Sequence, residues 1–283
     1  MNQKRIFIAA TQQNDGKTTV SLGLIQAFRD KFKSVGFIKP VGQRYVFEHG
    51  YKVDEDSVLI EKVCGMKGSV KDMSPIAIEK GFTEKYIKRG GHRKLVKNII
   101  SSFERISRRK DIVVIEGTGH AGVGSIFDLS NARVANLLDA KVILVTSGGI
   151  GKPIDEIELN MALFEKECVD GIGVIVNKVI TPGDREDLIM TALSMHLLGK
   201  QHKQNSISGI ILTGGIMPHP KIMSLIESAR IPVLFSREHT YITASKIHDL
   251  AIKIRPEDKE KALIVKRLIK RYVDVNKILE KIE

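Results

Sequence analysis

The residues with the clearest chemical purpose lie near the start of the chain. There Arg5-Ile6-Phe7-Ile8-Ala9-Ala10 runs into Thr11-Gln12-Gln13-Asn14-Asp15-Gly16-Lys17-Thr18-Thr19. An apolar run that reads as a buried strand feeds a short polar loop, and the amphipathic segment from Val20 to Phe28 follows. Strand, loop, Gly-Lys-Thr and helix make a phosphate cradle, because N–H groups of the loop and of the first helical turn point at the anion. Lys17 is expected to reach the outer phosphates and the Thr18 hydroxyl to sit on Mg²⁺. Thr11, Asn14, Asp15, Gly16 and Thr19 complete the residues expected to touch a nucleoside triphosphate.

Three further positions carry chemistry at the ends of apolar runs. Glu116 ends Asp111-Ile112-Val113-Val114-Ile115, where a nucleotide-binding sheet needs a carboxylate for Mg²⁺. Gly117-Thr118-Gly119 follows it, a sequence that lets backbone pass close to a ligand. Lys39 ends the run Ser34 to Ile38 before Pro40, a position for a cation over a transferring phosphoryl group or an anionic substrate. Asn177 ends Gly171 to Val176 and has the side chain to read an adenine edge. Asp54-Glu55-Asp56 precedes a helix over Ser57 to Val63, and capping accounts for its acids as readily as ligand binding does.

The elements that must position these groups alternate strand and helix through residue 180. The expected fold is therefore α/β: a mostly parallel sheet with helices on both faces, plus a smaller α/β domain. Lys141 to Thr146 supplies another strand, and helices fall over Ser130 to Leu138 and Pro153 to Lys166. In such sheets ligands sit at the carboxyl ends of the strands, so the polar residues closing each run share one rim. Composition fits a soluble chain of 283 residues with two cysteines, expected in a reducing, cytoplasmic setting; no apolar run approaches the ~18 residues that span a bilayer. The net charge of +12 raises nucleic acid as a partner, but the basic stretch from Lys80 to Lys110 falls largely on one face of an amphipathic helix, Arg93 to Arg108. A solvated surface is its simpler explanation.

The ordered set Thr11, Gly16-Lys17-Thr18, Lys39-Pro40-Val41, Asp56, Glu116-Gly117-Thr118-Gly119 and Asn177 resembles dethiobiotin synthetase. It is similar also to the ATPase segment of long phosphotransacetylases and to the nucleotide domains of cobyrinate amidases. The resemblance implies a P-loop fold with ATP and Mg²⁺ as cofactors. Lys17 would bind the phosphates, and Thr18, Asp56 and Glu116 the metal. Lys39 would steady an acyl phosphate or carbamate, and Asn177 would meet adenine. Gln12 stands where partitioning ATPases have a second lysine, which argues against that subclass. Gly42-Gln43-Arg44 replaces the Ala-Ser-Gly turn of the synthetase, which points away from biotin-precursor ring closure.

Further on, Gly183-Asp184-Arg185 and Thr213-Gly214-Gly215 resemble the DRTGG domain, treated as regulatory where it accompanies this ATPase segment. Three parts are thus expected: an ATP-binding domain over 1–180, a DRTGG-like domain over 181–256, and a C-terminal helix over 257–283. The short passage from Asn177 to Thr181 suggests that the first sheet lacks its last strand or borrows one. Val265, Leu268, Tyr272, Val275, Leu279 and Ile282 predict a single helix that docks on the body or pairs across a homodimer. Three functions compete: a regulatory Mg·ATP-binding ATPase, an ATP-dependent ligase that activates a carboxylate or carbamate, and a nucleic-acid-associated ATPase. The first is favoured, because the phosphate machinery is complete and the recognisable substrate contacts are not.

Overall fold

The structure, a computed structural model, describes residues 3–148, 152–177, 179–201, 209–249 and 254–282. Its centre is a sheet of five strands, β1 (Lys4–Ala10), β2 (Val35–Ile38), β3 (Ile112–Glu116), β4 (Lys141–Ser147) and β5 (Gly171–Asn177). They lie in the order β2-β3-β1-β4-β5, each neighbouring pair parallel. A strand covered on both faces needs apolar side chains at successive positions. Ile6 to Ala10 and Ile112 to Ile115 meet that requirement and are wholly buried. Because all five strands run the same way, Thr11, Lys39, Glu116, Thr146 and Asn177 come out at one end of the sheet.

Helix α1 (Lys17–Phe28) starts directly after the loop, and α2 (Glu55–Cys64) starts at Asp54, whose side chain accepts from the Asp56 N–H at 3.0 Å. The basic helix His92–Ser107 buries Ile99, Phe103 and Ile106 and leaves Leu95 half-buried. Its lysines lie on the other side, which is the solvated-surface arrangement.

Past Lys178 the chain builds a second parallel sheet, β6 (Val179–Pro182), β7 (Ile210–Thr213) and β8 (Val233–Phe235), in the order β6-β7-β8. The strand 179–182 pairs with 210–213 and is not lent to the first sheet, which among the described residues ends at β5. A separate cluster of Ile189, Leu193, Ile210, Leu212 and Ile226 backs this smaller sheet. The glycines of the Gly183-Asp184-Arg185 and Thr213-Gly214-Gly215 segments lie against protein here. The Gly214 and Gly215 N–H groups donate to Glu238 O and Ser236 O, and a Cβ on Gly183 would lie 1.7 Å from Ile216 O. Arg185 pairs with Asp187, and Thr213 Oγ1 with Thr240 Oγ1 at 2.6 Å. A helix over Thr240–Asp249 follows this sheet.

The C-terminal stretch is two helices, α3 (Lys259–Tyr272) and α4 (Val275–Lys281), where one was expected. Val273 is extended, and Asp274 restarts the helix by accepting from the Lys277 N–H at 3.0 Å. The buried face of α3 is Ala262, Val265, Ile269 and Tyr272, so Ile269 takes the place expected of Leu268, which is 38% exposed. That face docks on α1 of the same chain, not on an open surface. The approach is close: a Cβ on Gly23 would lie 2.1 Å from Ile269 Cγ1 and 3.1 Å from Val265 Cγ1. Asp30 at the end of α1 pairs with Lys266 and Lys270, and Lys281 donates to Ile172 O at 2.6 Å.

Candidate functional site

The loop between β1 and α1 is held by its own side chains. Thr11 Oγ1 donates to Asp15 Oδ2 at 2.9 Å, and the Gln12 N–H reaches the same oxygen at 2.8 Å. Thr11 also meets Thr146 Oγ1 at 3.1 Å, which ties the loop to the end of β4. Thr11 and Asp15 are buried and brace the cradle from behind, whereas Asn14, Gly16, Lys17, Thr18 and Thr19 line the cleft in front of it. Gly16 has φ 101°, a left-handed conformation that glycine adopts without strain. A Cβ there would also meet Asn177 Nδ2 at 2.5 Å. Asn177 lines the cleft and spends that amide on Asp15 O at 2.8 Å, so it buttresses the loop as well.

Across from the loop lies a compact charge cluster. The Lys39 ammonium sits 3.0 Å from Asp54 Oδ1 and 3.4 Å from Glu116 Oε1, and it also pairs with Asp56. Burial works against its charge, but Asp56, Glu116 and Asp54 outweigh it and hold Lys39 well above the usual lysine range. Burial also pushes Glu116 and Asp54 above the ordinary carboxylate range, with Lys39 opposing it. Thr18 Oγ1 donates to Glu116 Oε1 at 2.9 Å, joining the phosphate loop to the cluster. The other oxygen, Glu116 Oε2, is buried with no hydrogen-bond partner among the described residues. Lys17 is buried too, its ammonium 3.5 Å from Gln12 O. Desolvation brings it down from 10.5 to about 8.

Of the acidic run, sequence reasoning carried only Asp56 into the candidate site and left Asp54 with the cap. In the structure it does both jobs, and at 1% exposure it is buried deeper than Asp56. The signal was Gly42, where a Cβ would fall 2.5 Å from Asp54 Oδ2; only glycine lets the acid reach Lys39. Gly117 likewise makes room for protein, since a Cβ there would strike Phe7 and Asn131. Asn131 in turn accepts from the Thr118 N–H at 3.0 Å and donates to Thr118 O and His120 O, which fixes the loop after Glu116. The cleft in front of all these groups measures about 1310 Å³. One wall, contributed by Arg255, Pro256, Asp258, Lys261 and Ile264, has no sequence motif.

The chain belongs to the AAA_26 family, described as an AAA domain, whose pattern matches residues 4–214. It is 22% identical to a phosphate acetyltransferase of Nitratidesulfovibrio vulgaris, over 96% of this chain and 51% of that protein. It is 24% identical to an ATP-dependent dethiobiotin synthetase of Methanococcus vannielii, over 61% of this chain and 78% of that one. The chain thus spans about half the length of the phosphate acetyltransferase it matches. Among solved structures, a putative plasmid partition protein of Borrelia burgdorferi bound to AMPPNP aligns with a TM-score of 0.38 at 14% identity, over 94% of this chain and 98% of that one.

Proposed function

Starting from membership of that family, we propose that the protein binds Mg·ATP in this cleft and acts as a regulatory ATPase. The observation that carries the reading is the bond from Thr18 to Glu116, which joins the phosphate loop to a buried carboxylate at the end of β3. Thr18, Asp56 and Glu116 would hold Mg²⁺, with the partnerless Glu116 Oε2 as the free donor. No three His, Cys, Asp or Glu side chains among the described residues are grouped to hold an ion alone. Mg²⁺ takes one or two carboxylates and completes its shell with water and phosphate oxygens. When bound, the ion neutralises charge on the phosphoryl oxygens.

The chain's own residues supply the rest. Lys17 and Lys39 place two ammonium groups where phosphoryl charge would develop, and Lys39 is kept charged by its three carboxylates. The brace of Thr11, Asp15 and Asn177 holds the loop N–H groups in place before the ligand arrives. The smaller sheet, which we read as a DRTGG-like regulatory part, comes before the cleft-walling segment in the sequence. Calorimetry with Mg·ATP tests the reading: wild type should bind and Lys17→Ala should not. Equal affinity in the two would dismiss the site.

A second reading, an ATP-dependent ligase acting on a carboxylate or carbamate, is favoured by one observation. Gln43 and Arg44 line the same cleft beside Lys39, and the Arg44 backbone is pinned to the acidic segment through Glu55 N at 2.9 Å. A ligase would show turnover strongly stimulated by one metabolite. The regulator would turn ATP over slowly and change shape or oligomeric state.

A further inference from the structure

The wall formed by the C-terminal segment brings a cation into the cleft that the functional reading does not use. Asp258 orders the turn before α3: its Oδ2 accepts from the Arg255 N–H at 3.1 Å, and its own N–H donates to Arg255 O at 2.9 Å. The same carboxylate neutralises Lys261 at 2.9 Å. The Arg255 guanidinium lies on the surface of the cleft, within reach of the Asp258 charge but with no direct hydrogen bond or ion pair of 4.0 Å or less among the described residues. Its backbone is not adrift. Ile254 before it is buried in the main core, and α3 after it is seated on α1 by the contact of Val265 and Ile269 with Gly23. A fixed backbone that presents an exposed guanidinium, its N–H donors not engaged by protein, to a cleft is the arrangement of an anion site. The cleft has room for it: about 1310 Å³ exceeds the roughly 300–1,000 Å³ of ordinary small-molecule sites.

We infer that Arg255 is an anion-binding residue of this cleft, delivered by the docked C-terminal helix. Its ligand is a phosphate-type oxyanion that accepts two parallel N–H bonds. The oxyanion belongs either to the nucleotide or to a second small ligand held beside it. The inference rests on the nucleotide reading and reaches beyond the phosphate loop and the carboxylates.

Two titrations on the full chain test it. One measures the affinity for Mg·ATP. The other measures inorganic phosphate binding to protein saturated with Mg·ADP. Arg255→Ala should weaken one of them about tenfold or more, Arg255→Lys should recover part of the loss, and Lys259→Ala, outside the cleft, should change neither. A loss in the first titration assigns the anion to the nucleotide; a loss in the second alone assigns it to a separate ligand. Arg255→Ala affinities within about twofold of wild type in both would overturn the inference. Lys17→Ala keeps the two failures apart. If that variant still binds Mg·ATP, the nucleotide reading is wrong. If it does not bind while Arg255→Ala behaves as wild type, only the role of Arg255 is lost.

Discussion

Lys17 sets stability against function at a single residue. Its fall from 10.5 to about 8 corresponds to about 3 kcal/mol of strain against the charged form. The sign follows from proton counts. Between pH 8 and 10.5 the unfolded chain binds the proton and the folded chain does not, so the Lys17 contribution to stability rises with pH across that window. At pH 7 both states are protonated and the folded one bears the full cost. Lys17→Met should therefore raise the melting temperature of the nucleotide-free protein at pH 7 by several degrees while abolishing Mg·ATP binding. A scanning calorimeter decides it, and a lowered melting temperature would contradict the burial argument. A triphosphate beside Lys17 should restore its proton, so binding at pH 8.5 should take up protons, seen as a buffer-dependent enthalpy in wild type. Glu116→Gln belongs to the same scale. It keeps the shape of the side chain but removes the charge, and should reduce Mg²⁺-dependent hydrolysis more than nucleotide affinity.

At the scale of elements, α1 is shared between two tasks. Its first turn carries Lys17 and Thr18, and its middle receives α3 at Gly23. Gly23→Val should push Ile269 and Val265 aside and cost about 1–3 kcal/mol, read as an earlier midpoint in urea. An unchanged midpoint would mean that α3 does not sit there. The strands and α1 were legible in the sequence because each is a run of apolar residues closed by one polar group. The C-terminal helix was legible as a helix but not as two, because Val273-Asp274 keeps the apolar spacing while the backbone breaks there. The double role of Asp54 was hidden by its own cap: a local contact explains the residue, and the distant contact with Lys39 adds no further pattern.

For the whole molecule, sequence patterning gave the parallel sheet and the rim, since both follow from alternation alone. It did not give the cleft's far wall, because nothing in residues 254–265 signals that they face residues 13–19. No helix among the described residues is long and apolar enough to cross a membrane. The Val265 and Ile269 face of α3 is seated on its own chain, so a homodimer would meet through some other surface, the exposed side of α3 with Leu263 and Ile264 included. The hairpin of Tyr45–Glu48 and Tyr51–Asp54 offers one, with Phe47 70% exposed beside Tyr45 and Tyr51. If the dimer proposed from the family resemblance forms there, Phe47→Glu should convert it to monomer in light scattering without altering Mg·ATP affinity. A dimer that survives the change would place the contact elsewhere.

The seating of α3 on α1 also sets a timetable for biosynthesis. Asp30 and its partner Lys266 are 236 residues apart. At roughly 5–20 residues per second, a ribosome leaves that flank of the nucleotide-cradling helix bare for roughly 10–50 s. During that interval the small-residue notch at Gly23 waits uncovered for the Val265 and Ile269 side chains that later close it.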